Sequence, residues 1–444
     1  MSITTGATYV TENMLARLFH AYAGASALEG IALKATMVMP HLLLQRVSTK
    51  SKSKDNCQAL ERRLHLWNQG DVDSLIREGR VIQRHLDVRA RTAKSEEHLA
   101  STFSRLMLAG KTKAALRLLS KADRGAVLSP DQPVDFSPES PATVLDVLKM
   151  KHPPPVAVSR EALVPESERG PEFHPVLFNK ITADSIRHAA LRCGGSAGPS
   201  GLDAAAWQRM CTSFKGSSTE LCNALALFAR RICTEEVSFD GLAAFTSCRL
   251  IALEKCPGVR PIGVAEVCRR IVGKAILSVV RADVLKVAGP WQLCAGQQGG
   301  CEAAVHATRL LFQEESCEGV LLVDASNAFN SLNRQVALLN VQALCPSLAK
   351  VLANTYRGHA ELFVNGQTVF SREGTTQGVS LSLVFFALAT IPLITACRVQ
   401  GLSGEVWYAD DATGGGRLLL LRAWCSKLVG EKTPCHARML KPPR

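Results

Sequence analysis

Acidic residues stand at the ends of two apolar stretches of the chain. Asp324 follows the apolar residues 320–323 in VLLVDASNAF, and Asp410 and Asp411 end the apolar run of EVWYADDATGGG. Both runs have strand preference, and the glycines after Asp411 are expected to turn the chain. An unpaired carboxylate at the end of a buried strand is costly unless a cation lies nearby. The pattern therefore predicts a cation at these strand ends.

The chemistry that suits these acids is the binding of divalent cations. Mg²⁺ is usually held by one or two carboxylates together with substrate phosphates. If the two strands are neighbours in one sheet, Asp324 and Asp410 can bind the same pair of ions, with Asp411 beside them. Two such ions, about 3.5–4 Å apart, hold the attacking and leaving oxygens of an in-line phosphoryl transfer. A single acid of this kind would more often cap a turn or a helix, but acids at two strand ends favour a two-metal site.

An α+β arrangement is expected around these acids. Two hairpins are predicted, one in SCRLIALEKCPGVRPIGVAE with its turn at CPG, and one in ELFVNGQTVF with its turn at Asn365-Gly366. A strand, EVWYADDA, is predicted near the end of the chain. Apolar periodicity predicts helices over residues 183–193, 218–233, 267–288, 301–315, 334–341, 347–356 and, fully buried, from Leu381.

The region before these elements is basic and helical. The chain has a net charge of +13, and residues 41–125 contain 18 Lys and Arg against nine Asp and Glu. This excess favours a nucleic acid partner, although solvated helix faces are the alternative. Residues 57–121 read as helices, the last two being a helical hairpin broken near Gly110. Ten of the 20 prolines lie between Pro130 and Pro175, which indicates an extended linker or a lightly anchored wrap.

These changes in composition divide the 444 residues into four regions. We predict a basic helical region at 1–125, a proline-rich linker at 126–180, an α+β domain at 181–416 and a tail at 417–444. The 15 cysteines are scattered inside apolar runs, as in a reducing compartment. The sequence predicts neither a signal peptide nor a membrane-spanning helix. The sequence thus predicts an intracellular protein, cytoplasmic or nuclear, without a membrane partner.

Several motifs of the α+β region resemble one enzyme family. DASNAF, QGVSLS and YADD occur in this order and look like three successive palm motifs of reverse transcriptases. Upstream, VRPIGVAEVCRRIVGKAI resembles the fingers segment of that family, and GPSGLDAAAW and CAGQQGGCEAAVHA resemble the flanking stretches. The resemblance covers roughly residues 194–416 and looks closest to the reverse transcriptases of animal retrotransposons.

The resemblance implies a right-hand polymerase, with fingers and an antiparallel palm sheet packed on helices. Its activity would be that of an RNA-directed DNA polymerase, a nucleotidyltransferase that extends a DNA primer on an RNA template with deoxynucleoside triphosphates. Its cofactor would be two Mg²⁺ ions, or Mn²⁺ in their place. Asp324 and Asp410 would be the metal ligands, with Asp411 beside them. The Ala325 carbonyl would contact the second ion.

The same resemblance implies roles for residues that contact the nucleotide. Phe329 would lie beneath the sugar and clash with a 2′-hydroxyl, although an ordinary core phenylalanine is the alternative interpretation. Arg260, in RPI, would lie over the triphosphate, where a guanidinium suits phosphate oxygens, and Lys255 is a second candidate for that role. Gln377 and Gly378 would open a helix under the template, with the glycine permitting close approach of the backbone.

Two features depart from the family pattern. Most members have proline shortly after the Gln-Gly pair, where this chain has Val379 and Ser380, and a serine there can cap the following helix. The family also has a further palm element, a primer-gripping hairpin and a helical thumb after the YADD position. Residues 417–444 instead read as a truncated or frame-shifted tail. We therefore expect little processive primer extension from this chain.

Three functions follow from the sequence. The first is a polymerase of the reverse transcriptase class. The second is a catalytically inactive, nucleic-acid-binding remnant that retains fingers and palm as a binding surface. The third is another two-metal phosphotransferase with a palm-like sheet, such as a nucleotide cyclase. The separate RPI and QG motifs argue against the third.

Overall fold

The computed structural model describes residues 5–24, 29–45, 52–91, 96–120, 127–134, 142–158, 163–170, 172–255 and 258–430. These residues form an α+β fold, as the sequence predicts. The helices are α1 (Thr5–Ala23), α2 (Glu29–Leu43), α3 (Ser53–Asn68), α4 (Val72–Arg91), α5 (Glu96–Leu108), α6 (Thr112–Ser120), α7 (Val144–Met150), α8 (Ala183–Leu191), α9 (Ala204–Thr212), α10 (Gly216–Thr234), α11 (Phe239–Thr246), α12 (Val267–Ala288), α13 (Gly300–Gln313), α14 (Ala328–Ser331), α15 (Arg334–Leu344), α16 (Pro346–Tyr356), α17 (Ser382–Cys397) and α18 (Leu418–Val429). The strands are β1 (Pro133–Val134), β2 (Ala142–Thr143), β3 (Cys248–Glu254), β4 (Val259–Ala265), β5 (Gly319–Asp324), β6 (Ala360–Val364), β7 (Gln367–Ser371), β8 (Gly404–Tyr408) and β9 (Asp411–Gly416).

The largest hydrophobic core lies among helices. Helices α1, α2, α8 to α12 and α15 to α17 all contribute buried side chains to it. At its centre the ring of Phe228, on α10, packs against Phe19 and Tyr22 of α1 and against Phe245 of α11. Helix α17 is apolar on all sides and almost wholly buried, so it belongs to the interior, as predicted for the run from Leu381.

A four-stranded sheet lies beside this core in the order β4-β3-β6-β7. Both predicted hairpins are confirmed, because β3 pairs with β4 and β6 pairs with β7 in antiparallel register, while β3 and β6 are parallel. Asn365 and Gly366 both have positive φ (44° and 78°), as a two-residue hairpin turn requires. The turn between β3 and β4 includes residues 256–257, which lie outside the described residues.

A separate three-stranded antiparallel sheet has the order β5-β9-β8. Here the sequence prediction was wrong in one respect. EVWYADDA is not a single strand, since the chain reverses at Ala409-Asp410 and the following ATGGG forms the central strand β9. The glycines admit close neighbours instead of turning the chain. A Cβ on Gly415 would lie 3.2 Å from Leu311 Cβ of α13, and one on Gly414 would lie 3.0 Å from the Trp424 ring of α18.

The described part of the predicted linker, residues 126–180, is anchored to the four-stranded sheet and to the loop after β7. Leu128 N donates to Ala252 O of β3 (2.9 Å), and Val156 N donates to the buried Glu373 Oε1 (2.7 Å). Helix α7 buries Val144, Val147 and Leu148 against the four-stranded sheet. These contacts agree with an anchored wrap, and residues 126, 135–141, 159–162 and 171 lie outside the described residues.

The predicted N-terminal helices are present, and α5 and α6 meet at Gly110, whose φ is +68°. Of the predicted tail, α18 is described and residues 431–444 lie outside the described residues. The proposed division into four regions stays a prediction. Among the described residues, no helix is both long enough and apolar enough to cross a membrane.

Candidate active site

The two acidic strand ends lie side by side in the three-stranded sheet. Strand β5 pairs with β9 so that Asp324 stands directly opposite Asp411. Along β5, Leu321 and Val323 pack on the core beneath the sheet, whereas Leu322 is exposed on the other face. Asp324 shares the face of Leu322 because side chains alternate along a strand. The pairing places the carboxylates of Asp324 and Asp411 on one open face of the sheet.

Asp410 lies at the tip of the hairpin that joins β8 to β9. Tyr408 pairs with Asp411, so Ala409 and Asp410 form a two-residue turn, in which Ala409 has φ of +54°. This conformation is uncommon for a residue with a Cβ and requires support from its surroundings. At the base of the tip, Ala325 N donates to Asp410 O at 3.4 Å, which joins the end of β5 to the turn.

The support for the turn comes from Gln292, a residue that no sequence motif singles out. Its fully buried side chain donates from Nε2 to Ala409 O (3.0 Å) and accepts from Ala409 N at Oε1 (2.9 Å). Gln292 therefore satisfies both backbone polar groups of the strained residue. No local sequence signal indicates this role, because Gln292 and Ala409 are brought together only by the fold.

The pKa values of Asp410 and Asp411 are both raised. Burial raises the pKa of Asp410, the carboxylates of Asp411 and Asp324 raise it further, and a backbone hydrogen bond and Arg260 oppose the rise. Burial also raises the pKa of Asp411, Asp324 adds to this effect, and Lys255 opposes it. Interactions between exposed charges are screened beyond roughly 10 Å in ordinary salt. Asp324 thus acts on both Asp410 and Asp411, while Arg260 acts on Asp410 and Lys255 on Asp411.

The two basic residues predicted to contact the triphosphate, Arg260 and Lys255, belong to the β3–β4 hairpin. Arg260 is exposed on β4, where the flanking Val259 and Pro261 are buried, and it stands opposite Leu253. Lys255 directly follows β3, and its N–H donates to Gly258 O across the turn at 2.9 Å. The alternation along β4 thus exposes the Arg260 side chain to solvent, and its charge lowers the pKa of Asp410.

The Gln377-Gly378 loop lies against the same strand. Gly263 N, on β4, donates to Gln377 O at 2.9 Å, and Gly378 has φ of +101°. A Cβ on Gly378 would lie 2.5 Å from Gly263 O, so only glycine allows this approach. The prediction that this pair opens the helix is wrong, because α17 begins at Ser382, four residues after Gly378.

The expected serine cap is also absent from α17. Ser380 Oγ donates to Arg270 O at 3.0 Å, across to α12, and the N-cap residue of α17 is Leu381, without a side-chain cap. The hydroxyl therefore anchors the loop to α12 instead of to its own helix. A Cβ on Gly273 would lie only 3.1 Å from Ser380 Cβ, which shows how closely the loop and α12 approach.

Phe329 lies just beyond Asp324, in the short helix α14, and packs inward. Its side chain is 8% exposed and its ring stacks on Phe386 of α17, with centroids 4.4 Å apart and an interplanar angle of 21°. Thr375 N donates to Phe329 O at 2.6 Å. These are the contacts of a core residue, and the predicted contact with a sugar stays a prediction.

Asp324, Asp410 and Asp411 offer carboxylate oxygens, which are the ligands that hard divalent cations prefer. Like charges directly opposite each other on a sheet are unfavourable, and here three acids are crowded and two have raised pKa values, so a cation would relieve the repulsion. Within the described ranges, no three His, Cys, Asp or Glu side chains already form a set of metal ligands. An ion held here would take its remaining ligands from water and substrate phosphates, as Mg²⁺ ordinarily does.

Comparison with known proteins adds no relative to this description. A scan against models of protein families finds no match, and a search of curated proteins finds none either.

Proposed function

We propose that the chain is a nucleic acid polymerase of the reverse transcriptase class, which adds deoxynucleotides to a DNA primer on an RNA template. The observation that supports this most strongly is the pairing of Asp324 with Asp411, with Asp410 in the adjoining turn. In this proposal the β5-β9-β8 sheet acts as the palm. The β3–β4 hairpin, which presents Arg260, belongs to the fingers.

Each part of the site has a role in nucleotidyl transfer. Asp324, Asp410 and Asp411 would hold two Mg²⁺ or Mn²⁺ ions, with the Ala325 carbonyl beside them. The bound ions would neutralise the charge that develops on the transferring phosphoryl group. Arg260 would orient the triphosphate through charge-assisted hydrogen bonds, assisted by Lys255. Phe329 would lie beneath the sugar and the Gln377-Gly378 loop beneath the template.

Electrostatics at two scales supports this assignment. The net charge of +13 favours polyanionic partners. At the site, Arg260 and Lys255 counter the acids and offer donors to phosphate oxygens. A protein contributes to phosphoryl transfer mainly by positioning the reactants and stabilising charge. Acids that hold metal ions beside basic side chains that hold phosphates would supply both contributions.

The test is addition of a single nucleotide to a DNA primer annealed to RNA, with the full chain and either Mg²⁺ or Mn²⁺. Asp324→Ala and Asp410→Ala should each abolish incorporation without preventing primer-template binding. Glu315→Ala, at an exposed acid in the loop before β5, is the matched control and should incorporate normally. Incorporation that survives either active-site substitution, or its absence from the unaltered chain with both ions, would contradict the proposal. In the latter case retained binding would favour the inactive, nucleic-acid-binding remnant.

A further inference from the structure

A cavity of about 520 Å³ lies between α8 and α12, lined by residues other than those of the candidate active site. Its walls present four basic side chains, which are His188 on α8, Arg192 directly after α8, and Lys274 and Arg281 on α12. Its lining includes the buried residues Ala189, Val284 and Val384. No acidic residue lines it among the residues that the structure describes. The volume falls within the roughly 300–1,000 Å³ typical of ligand pockets.

Two of the basic side chains are held in place by the backbone around the cavity. Lys274 Nζ donates to Arg192 O at 2.9 Å, and Arg281 Nε donates to Gly296 O at 3.0 Å. Each of these hydrogen bonds uses one donor and leaves the others for a ligand. Arg192 makes no side-chain hydrogen bond or ion pair to any described residue. The cavity therefore contains oriented cationic donors that the fold does not use.

The acids nearest in sequence do not neutralise this charge. Asp184, on α8, pairs with Arg187. Asp283, on α12, lines a different cavity together with Lys286 and Glu172. The walls facing the cavity from both helices therefore remain cationic.

We propose that this cavity, an open groove between α8 and α12, binds a single strand of nucleic acid. The phosphodiesters would lie against Arg192, Lys274 and Arg281, and a base would lie over the apolar floor formed by the buried residues of the lining. Single-strand sites usually combine a positively charged groove with side chains on which bases stack, and here the His188 ring and the arginine side chains would take that role. Paired bases in a duplex cannot reach a concave apolar floor, so an unpaired strand fits better. The groove is a binding site separate from the acids of β5 and β9.

Binding is the first test, because it is independent of turnover and so of the polymerase proposal. Arg192→Glu combined with Arg281→Glu should weaken binding of a short single-stranded oligonucleotide by about tenfold or more, since charge-assisted hydrogen bonds to phosphate are removed. The dependence of log affinity on log salt should become shallower by about one for each phosphate that the variant no longer neutralises. The matched control is Arg209→Glu combined with Lys286→Glu, which makes the same charge change on α9 and α12 outside the groove and should alter affinity far less.

Protection of lysines from acylation in the unaltered chain gives a second readout that does not depend on a variant folding. The oligonucleotide should protect Lys274 and leave Lys286, on the same helix, as reactive as before. Equal losses of affinity in both double variants, or protection of neither lysine, would overturn the proposal. Equal protection of Lys274 by a duplex, by inorganic phosphate or by vesicles of acidic lipid would also overturn it, since the groove would then not select a single strand.

Discussion

Asp324 and Asp411 face each other across two paired strands, an arrangement that destabilises a sheet when both groups are ionised. Burial raises the pKa values of Asp410 and Asp411, and the neighbouring carboxylates raise them further, so ionisation of these groups carries an added cost. Residues that are unfavourable for stability and crowded at one place are typical of functional sites.

Removing one of these charges should therefore stabilise the metal-free protein. The native pKa of Asp411 lies above its unfolded value near 3.8, so ionisation costs stability at neutral pH, and the cost fades as the pH falls through the native pKa. Asp411→Asn should raise the free energy of unfolding at pH 7 by about 0.5 kcal/mol, with no gain below the unfolded pKa. Urea denaturation without divalent ions measures this, with Glu315→Gln as the control. A loss of stability at pH 7, or a gain that persists at low pH, would refute the electrostatic account.

Phe329 is the residue whose two interpretations can be separated by mutation. If its ring lies beneath the sugar, Phe329→Val should increase incorporation of ribonucleotides relative to deoxynucleotides by roughly tenfold or more, since steric selection by a pocket is removed. Phe386→Val removes the ring that stacks on it, and that residue is 1% exposed. This control should lose comparable stability and keep its sugar preference. If Phe329→Val and Phe386→Val had the same sugar preference, Phe329 would be a core residue without a role in selecting the sugar.

At the scale of elements, the hairpin tip depends on a residue distant in sequence. Gln292 holds both backbone groups of Ala409, and its removal would leave a buried N–H and C=O without partners. Gln292→Ala should cost about 1–3 kcal/mol of stability and reduce nucleotide incorporation, because Asp410 follows Ala409 directly. Gln297→Ala, at an exposed glutamine of the same loop, is the control for stability and activity. Full incorporation by Gln292→Ala would show that the turn keeps its shape unaided.

The loop at Gln377-Gly378 gives a second test at this scale. Gly378→Ala combines a positive φ with a Cβ placed 2.5 Å from Gly263 O, whereas Gly366→Ala has a positive φ with no atom within 4 Å. Both variants should lose stability, at roughly 1 kcal/mol for the φ alone, but Gly378→Ala should lose more and should also displace β4. Nucleotide affinity should fall in Gly378→Ala only, because Arg260 lies on that strand. If Gly378→Ala and Gly366→Ala had equal effects on thermal unfolding and on nucleotide binding, the loop at Gly378 would have to accommodate the new Cβ without displacing β4.

At the scale of the whole molecule, the first two helices share the core of the α+β region. Phe19 is fully buried and its ring lies 5.6 Å from that of Phe228 on α10. Phe19→Ala should cost about 3–5 kcal/mol, as large-to-small changes in a core do. Phe312→Ala, at a side chain that is 74% exposed, should cost little. The loss of stability should appear as faster amide exchange within α10 as well as α1. Exchange that rises in α1 alone would show that the N-terminal helices unfold independently.

Local patterns determined most of the elements. Periodicity predicted α12 over residues 267–288 with its observed bounds, and Asn365-Gly366 predicted the β6–β7 turn, because both signals arise from neighbouring residues. The strand end at Asp324 was likewise visible, since an acid after an apolar run needs no partner to be noticed, whereas Asp410 lies in the turn after β8. The glycines after Asp411 were misread, because glycine suits both a turn and a strand that other elements approach closely.

The sequence by itself determined that Asp324 ends a strand, where most of the helices and the β3–β4 and β6–β7 hairpins lie, and that the chain is basic. Only the tertiary structure decided that Asp324 stands opposite Asp411, that Gln292 supports Ala409 and that α1 packs on α10. It also decided that the basic side chains of α8 and α12 face one cavity. The difference between what the sequence and the tertiary structure decided has a physical reason, which is the separation along the chain of the residues that interact. Helix periodicity and turn preference act between neighbouring residues, whereas strand register, buried hydrogen bonds and core packing join residues that are distant in the chain.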